Sequence, residues 1–204
     1  MGAFMKRVRK SAAVRKREII ETAIRIITEE GPERMTTERI ARRVGLTQPA
    51  IFRHFAKKAL IWDGIAEYLS DKVFSGMDEI IADRQTPPLD RLRTYMRVHF
   101  QRLEEHPYIS VFYARLLFGD NESLRRHMQE AYRQLAENMA VLLHEARLTG
   151  QLVDGVELEP TAFLLMGLSP LMVLNWDLND RRIDLVEEGM KLVEQQLRLL
   201  TRPS

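Results

Sequence analysis

Gln48, Phe52, Arg53 and His54 fall on one side of a short segment whose apolar positions, Ile51 and Phe55, fall on the other. These side chains suit a DNA groove. A glutamine amide can pair with adenine, an arginine with O6 and N7 of guanine, and an aromatic ring can meet a thymine methyl. Thr36 and Thr37, at the start of the preceding segment, and Lys57 and Lys58, just beyond, suit phosphates, whose contacts fix register without reading sequence.

Such side chains need short helices to hold them. Apolar spacing predicts one helix over residues 37–43, burying Ile40, Ala41 and Val44, and a second over 48–55. Gly45 can take the left-handed conformation that ends the first, Thr47 can cap the second, and Pro49 sits in a first turn where its missing N–H does no harm. Two such helices joined by a three-residue, glycine-containing turn make a helix-turn-helix, in which the start of the second helix enters the major groove. The same motif can also be purely structural. Helices this short are marginal alone, so they require a partner, supplied by a helix from about Val14 that carries Ile19, Ile20, Ala23, Ile24 and Ile27 on one face and stops at Gly31-Pro32.

The segment from Thr37 to Leu60, with Ile40-Ala41, Val44-Gly45, Pro49-Ala50, Phe52, His54-Phe55 and Lys58, resembles the DNA-binding segment of the tetracycline-repressor (TetR) family, and the likeness extends over about residues 15–65. The resemblance implies base-reading roles for Thr47, Gln48, Pro49, Ala50 and Arg53, and backbone contacts for Thr37, Phe52, His54 and Lys58. It also implies a homodimer on a palindromic operator, and a small-molecule effector inside the C-terminal body that releases the DNA. One departure stands out: the family usually carries tyrosine where this chain has Phe52, so a hydroxyl that would bond a phosphate is missing.

The remainder also reads as helix, making the chain all-α. A long helix from Lys57 leads to a break at Thr86-Pro87-Pro88, followed by helices near 89–105, 107–118, 122–149, 157–177 and 181–201. The expected organisation is a basic arm over 1–14, a three-helix DNA-binding domain over 15–60, and a larger helical ligand-binding and dimerisation domain over 61–204. In the last helix Ile183, Val186, Met190, Val193, Leu197 and Leu200 form one apolar seam, and Leu185, Leu192 and Leu199 a second. With Phe163, Met166, Gly167, Pro170, Leu171 and Leu174 of the helix before it, the first seam is the expected dimer face. Candidate lining for an effector cavity comprises Trp62, Tyr68, Phe74, Met77, Tyr95, Met96, His99, Phe100, Phe112, Tyr113, Leu117, Met139, Met166 and Trp176, types that equally serve as plain core.

Charge follows the same division. Residues 1–60 carry fifteen Lys and Arg against six acids, a net +9, while the rest carries −7 within a total of +2. A cationic module joined to an acidic one points to a polyanion for the first part only. The seven bases from Lys6 to Arg17 can follow a phosphate line or a minor groove, or act as a solvated tail. Absence of cysteine removes disulfides, thiolate zinc sites and cysteine nucleophiles and fits a reducing cytoplasm, the expected location together with a start unlike a signal peptide. The five histidines are scattered singly, and neither a metalloprotease spacing, a nucleophile elbow nor a phosphate loop is present, so the expectation is a binder without cofactor or metal. Two alternatives stay open: a helical interaction protein whose basic module holds DNA only non-specifically, and a regulator whose body docks a protein antagonist.

Overall fold

The computed structural model describes residues 11–118 and 122–201, with the backbone alone for 114–118 and Ser123. Residues 1–10 of the basic arm therefore lie outside the described residues, as does the side chain of Leu117. The fold is all-α, and the chain divides into two compact units, one ending at Tyr68 and one beginning at Leu69.

In the first unit, α1 (Ala12–Glu30) begins at Ser11, whose hydroxyl accepts from the Val14 amide at 3.3 Å. Ile19, Ala23, Ile26 and Ile27 are buried, because steps of three and four residues return to one helical face. A 3-10 turn over Pro32–Arg34 leads to α2 (Thr37–Val44), which is capped by Thr36 accepting from the Arg39 amide at 3.2 Å. Gly45 ends α2 in the left-handed region at φ 73°, a position that costs a side chain energy and glycine little. The following α3 (Gln48–His54) has Pro49 in its first turn. Ile40, Ala41, Ile51 and Phe55 are buried, so α2 and α3 close over α1. Val44 is only half-buried.

The division between the units falls within α4 (Lys58–Phe74). The second unit contains a helix that apolar periodicity does not reveal: Gly76, at φ 72°, ends the preceding turn, and α5 (Asp78–Ala82) follows. Five residues are too few to show a period. The remaining helices are α6 (Pro88–Glu105), α7 (Ile109–Phe118), α8 (Glu122–Leu148), α9 (Leu158–Leu178) and α10 (Leu185–Leu200). Helix α6 packs on α8 and α10, and α9 packs on α8 and α10. Their core includes Leu92, Phe100, Met139, Leu142, Leu165, Val193 and Leu197. Gly189 allows α10 to approach α6, since a Cβ there would stand 2.7 Å from the buried ring of Phe100.

Arg91 is buried yet satisfied: it donates to the carbonyls of Ile81 (2.8 Å) and Thr86 (3.1 Å) and pairs with Glu145, joining the α5–α6 link to α8. Among the described residues α9 is the one helix long and apolar enough to cross a membrane. Its Leu165, Met172 and Val173 are buried against neighbouring helices.

Candidate nucleic-acid interface

The start of α3 presents Thr47, Pro49 and Arg53 to solvent, with Phe52 42% exposed and Gln48, Ala50 and His54 half-buried. Thr47 occupies the capping position but makes no side-chain capping bond, contrary to the role its sequence suggests, so its hydroxyl stays available. Thr36 is the reverse case, because the capping bond to Arg39 already engages its hydroxyl oxygen.

Thr37, 8% exposed, receives a hydrogen bond from Gln48 Nε2 at 2.9 Å, which ties the start of α2 to the start of α3. Spacing could not reveal this bond, since the partners are eleven residues apart on different helices. Lys57 and Lys58 are exposed and, with Arg53, make no ion pair among the described residues. Arg39 and Arg43 are spent otherwise. Arg43 donates to Glu29 and Glu30 of α1 at 2.6 Å each, Arg39 pairs with Glu30, and the hydrogen bond that Arg43 donates to Glu29 raises its pKa. These pairs brace α2 on α1, with Arg43 still exposed. The basic run is likewise partly absorbed: Arg15 pairs with Glu18, Arg17 with Glu21, and Lys16 lies 5.7 Å from the Phe55 ring centroid, all on the folded α1.

The candidate cavity residues separate between the units. Trp62 (buried) and Tyr68 (half-buried) belong to the first. In the second, Met77, Tyr95, Met96, His99, Phe100, Phe112, Met139, Met166 and Trp176 are buried, while Phe74 and Tyr113 are half-buried. Three of these meet: the His99 ring stacks on Phe74 at 5.7 Å and lies tilted 6.3 Å from Phe100. Both His99 nitrogens are buried without a hydrogen-bond partner, as is the Ser169 hydroxyl of α9. Burial, reinforced by the charge of Arg102, lowers the His99 pKa to about 4, so the ring is neutral at pH 7. Tyr95 differs in that its hydroxyl accepts from Asn138 Nδ2 at 2.9 Å. No group of three or more metal-ligating side chains occurs among the described residues.

The expected dimer residues also separate. On α9, Phe163 (68%), Leu171 (53%) and Leu174 (57%) are exposed, together with Gly167, whereas Met166 is buried and Pro170 half-buried. On α10, Met190, Val193, Leu197 and Leu200 are buried within the chain's own fold, with Val186 half-buried. Ile183 precedes α10, which starts only after Asp184 caps it by accepting from the Glu187 amide at 2.7 Å. The first seam thus faces α6 and the body, and Leu192 and Leu199 of the second seam are the exposed ones. Periodicity marks both faces of this helix without telling which turns inward.

Residues 19–61 match the family model "Bacterial regulatory proteins, tetR family". That segment therefore carries the N-terminal domain shared by the TetR family of bacterial regulatory proteins. The matched residues run from the middle of α1 into α4 and contain the exposed α3 residues described above. The chain is also similar to the nucleoid occlusion factor SlmA of Vibrio cholerae, 26% identical over 136 residues, 66% of this chain and 69% of the relative. Among solved structures it resembles SmeT, the repressor of the Stenotrophomonas maltophilia multidrug efflux pump SmeDEF, at TM-score 0.77 and 23% identity over 93% of this chain and 91% of that one. SmeT has also been solved as its triclosan complex, at TM-score 0.79 and 23% identity over 94% and 93%. A third likeness is to FadR of Bacillus subtilis in complex with stearoyl-CoA, at TM-score 0.76 and 21% identity over 89% and 97%. Beyond the matched segment, these likenesses show a TetR-like fold, with an N-terminal helix-turn-helix domain and a helical C-terminal domain.

Proposed function

We propose that this chain is a homodimeric, sequence-specific transcriptional repressor that binds a palindromic operator and is released by a small, largely apolar ligand. The observation that carries the reading is the start of α3, where exposed Thr47, Pro49, Phe52 and Arg53 and half-buried Gln48 stand on a unit braced from behind by Arg39 and Arg43. Residues 15–60 supply the DNA-binding domain and 61–204 the ligand-binding and dimerisation domain, acting in the cytoplasm. A second copy covers Phe163, Leu171, Leu174 and Leu199, because apolar side chains this exposed along one face call for a partner. A two-fold dimer sets its reading heads about 34 Å apart along one face of the duplex, hence the palindrome.

The ligand reading draws on the buried, unpartnered His99 and Ser169, which an apolar molecule with a hydrogen-bonding group would satisfy. It is supported by similarity to proteins solved with triclosan and stearoyl-CoA. Release then follows from a ligand preferring the state of the dimer that fits DNA less well. Likeness to a nucleoid occlusion factor favours a second reading, in which the DNA-bound dimer displays its body to a protein partner.

Selection of duplexes from a random pool at near-physiological salt, followed by sequencing, tests the first reading. Enrichment of a two-fold symmetric site supports it. Recovery of unenriched DNA overturns it in favour of a non-specific anchor and sends the search to protein partners.

A further inference from the structure

We infer that Thr37 is a specificity-determining residue for the operator: it reads no base itself, but its hydroxyl fixes the amide of Gln48 in the one orientation that selects adenine over guanine. The inference rests on the DNA-reading proposal above and begins from the 2.9 Å bond in which Gln48 Nε2 donates to Thr37 Oγ1. Thr37 is almost fully buried and Gln48 half-buried, so the pair forms in a sheltered corner between the starts of α2 and α3. The N-cap of α2 is Thr36, whose hydroxyl bonds the Arg39 amide, so Thr37 is free of capping duty.

Hydrogen-bond polarity gives the pair its meaning. A threonine hydroxyl has one hydrogen to donate, and a phosphate oxygen can only accept. With a phosphate taking the Thr37 hydrogen, Oγ1 has only lone pairs left to offer the amide. Gln48 must then turn its NH2 group to Thr37, because the flipped amide would set two acceptor oxygens against each other. One of the two Nε2 hydrogens goes to Thr37. The other, on the same side as Oε1, remains paired with that oxygen as a donor–acceptor edge. Adenine offers the complement in N6–H and N7, while guanine offers two acceptors, O6 and N7. A glutamine free to rotate can instead point its NH2 at guanine, and the bond to Thr37 removes that option. The phosphate contact and base choice thereby become one hydrogen-bonded chain, running from phosphate through Thr37 and Gln48 to the base.

The test uses the full-length protein and the palindrome recovered by selection, with each half-site position varied through all four bases. Gln48→Ala first identifies the base pair that Gln48 reads, as the one whose preference vanishes. At that pair the wild type is expected to prefer adenine over guanine by on the order of tenfold or more. Thr37→Val, which keeps shape and removes the hydroxyl, should bring the preference within about threefold, and Thr37→Ser should restore it. Circular dichroism checks folding, and Thr37→Ala replaces the valine variant if that one fails to fold. Equal weakening on all four bases, with the adenine preference intact, overturns the inference and leaves Thr37 a phosphate contact. If Gln48→Ala alters no preference while the wild type still enriches a palindrome, this inference falls and the regulator proposal stands. If the wild type enriches nothing, both fall.

Discussion

The two units leave opposite kinds of side chain without partners. In the first unit the groups without partners among the described residues are polar and outside: Thr47, Arg53, Lys57 and Lys58 stand in solvent over an apolar interior of Ile19, Ile40 and Ile51. In the body, unpaired polar groups are inside, at His99 and Ser169, and the unpaired apolar groups are outside, at Phe163, Leu171, Leu174 and Leu199. Each mismatch with the surroundings identifies what would correct it. Exposed cations and amides suit a polyanion with readable edges, an exposed apolar strip suits another apolar strip, and a buried imidazole suits a small hydrogen-bonding molecule.

The largest expected effect lies at the apolar strip. Leu171→Glu with Leu174→Glu places charges where the proposed second copy would desolvate them, each costing several kcal/mol. The dimer dissociation constant should rise at least ~1000-fold, giving a monomer by sedimentation velocity with an unchanged circular-dichroism spectrum. A dimer that survives the double substitution would mean that the strip faces something else.

The buried imidazole gives the next largest effect. His99 has a folded pKa of about 4 against an ordinary value of 6.5, burial being the main cause and Arg102 the second. Above pH 6.5 the ring is neutral whether folded or unfolded and contributes no pH dependence. Between pH 6.5 and 4 only the unfolded chain takes up the proton, so stability falls with falling pH, by about 3 kcal/mol across the window. His106, whose pKa is also lowered by burial, adds a smaller slope in the same direction. His99→Phe removes the larger part while preserving a ring against Phe74. Urea unfolding at pH 7 and pH 5 should show wild-type stability dropping and the variant's changing little; equal drops would deny His99 its place as the titrating buried group.

These two tests fall where the sequence is least informative. The reading unit is legible because its signals are local: Gly45 must adopt positive φ, Pro49 must sit in a first turn, and Ile40, Ile51 and Phe55 lie within one short stretch. What escaped there was tertiary, namely the Gln48–Thr37 bond and the pairing of Arg39 and Arg43 with α1. In the body, period alone shows that α10 has two apolar faces, but which one turns inward depends on Gly189 admitting Phe100, a contact between residues 89 apart. The same distance problem hides His99: spacing places it on α6, and only the assembled fold shows both nitrogens buried and unpartnered. Helix α5 was invisible for a different reason, being shorter than two turns.

The exposed groups of the first unit should divide their labour on DNA. Arg53→Ala should lose discrimination at one base pair per half-site, worth about 1–3 kcal/mol. Lys58→Ala should weaken all sequences alike and reduce the salt slope by about one. Competition binding at two salt concentrations separates them, and identical behaviour of the two variants would abolish the distinction between reader and positioner.

The smallest effect concerns Phe52, where the family's usual tyrosine is absent. Its ring is 42% exposed at the edge of α3, so a hydroxyl added at its tip enters solvent or meets a phosphate without disturbing the Ile51–Phe55 core. Phe52→Tyr should therefore leave thermal stability unchanged. On DNA the new hydroxyl donates to a charged acceptor, worth on the order of 1 kcal/mol, or about fivefold in affinity. Because a phosphate carries no sequence information, the gain should be equal on the selected palindrome and on its single-base variants. A gain confined to one base would place the ring against a base edge and move Phe52 from the backbone contacts to the readers; no gain at all would set the α3 edge further from the phosphates than the exposure of this ring implies.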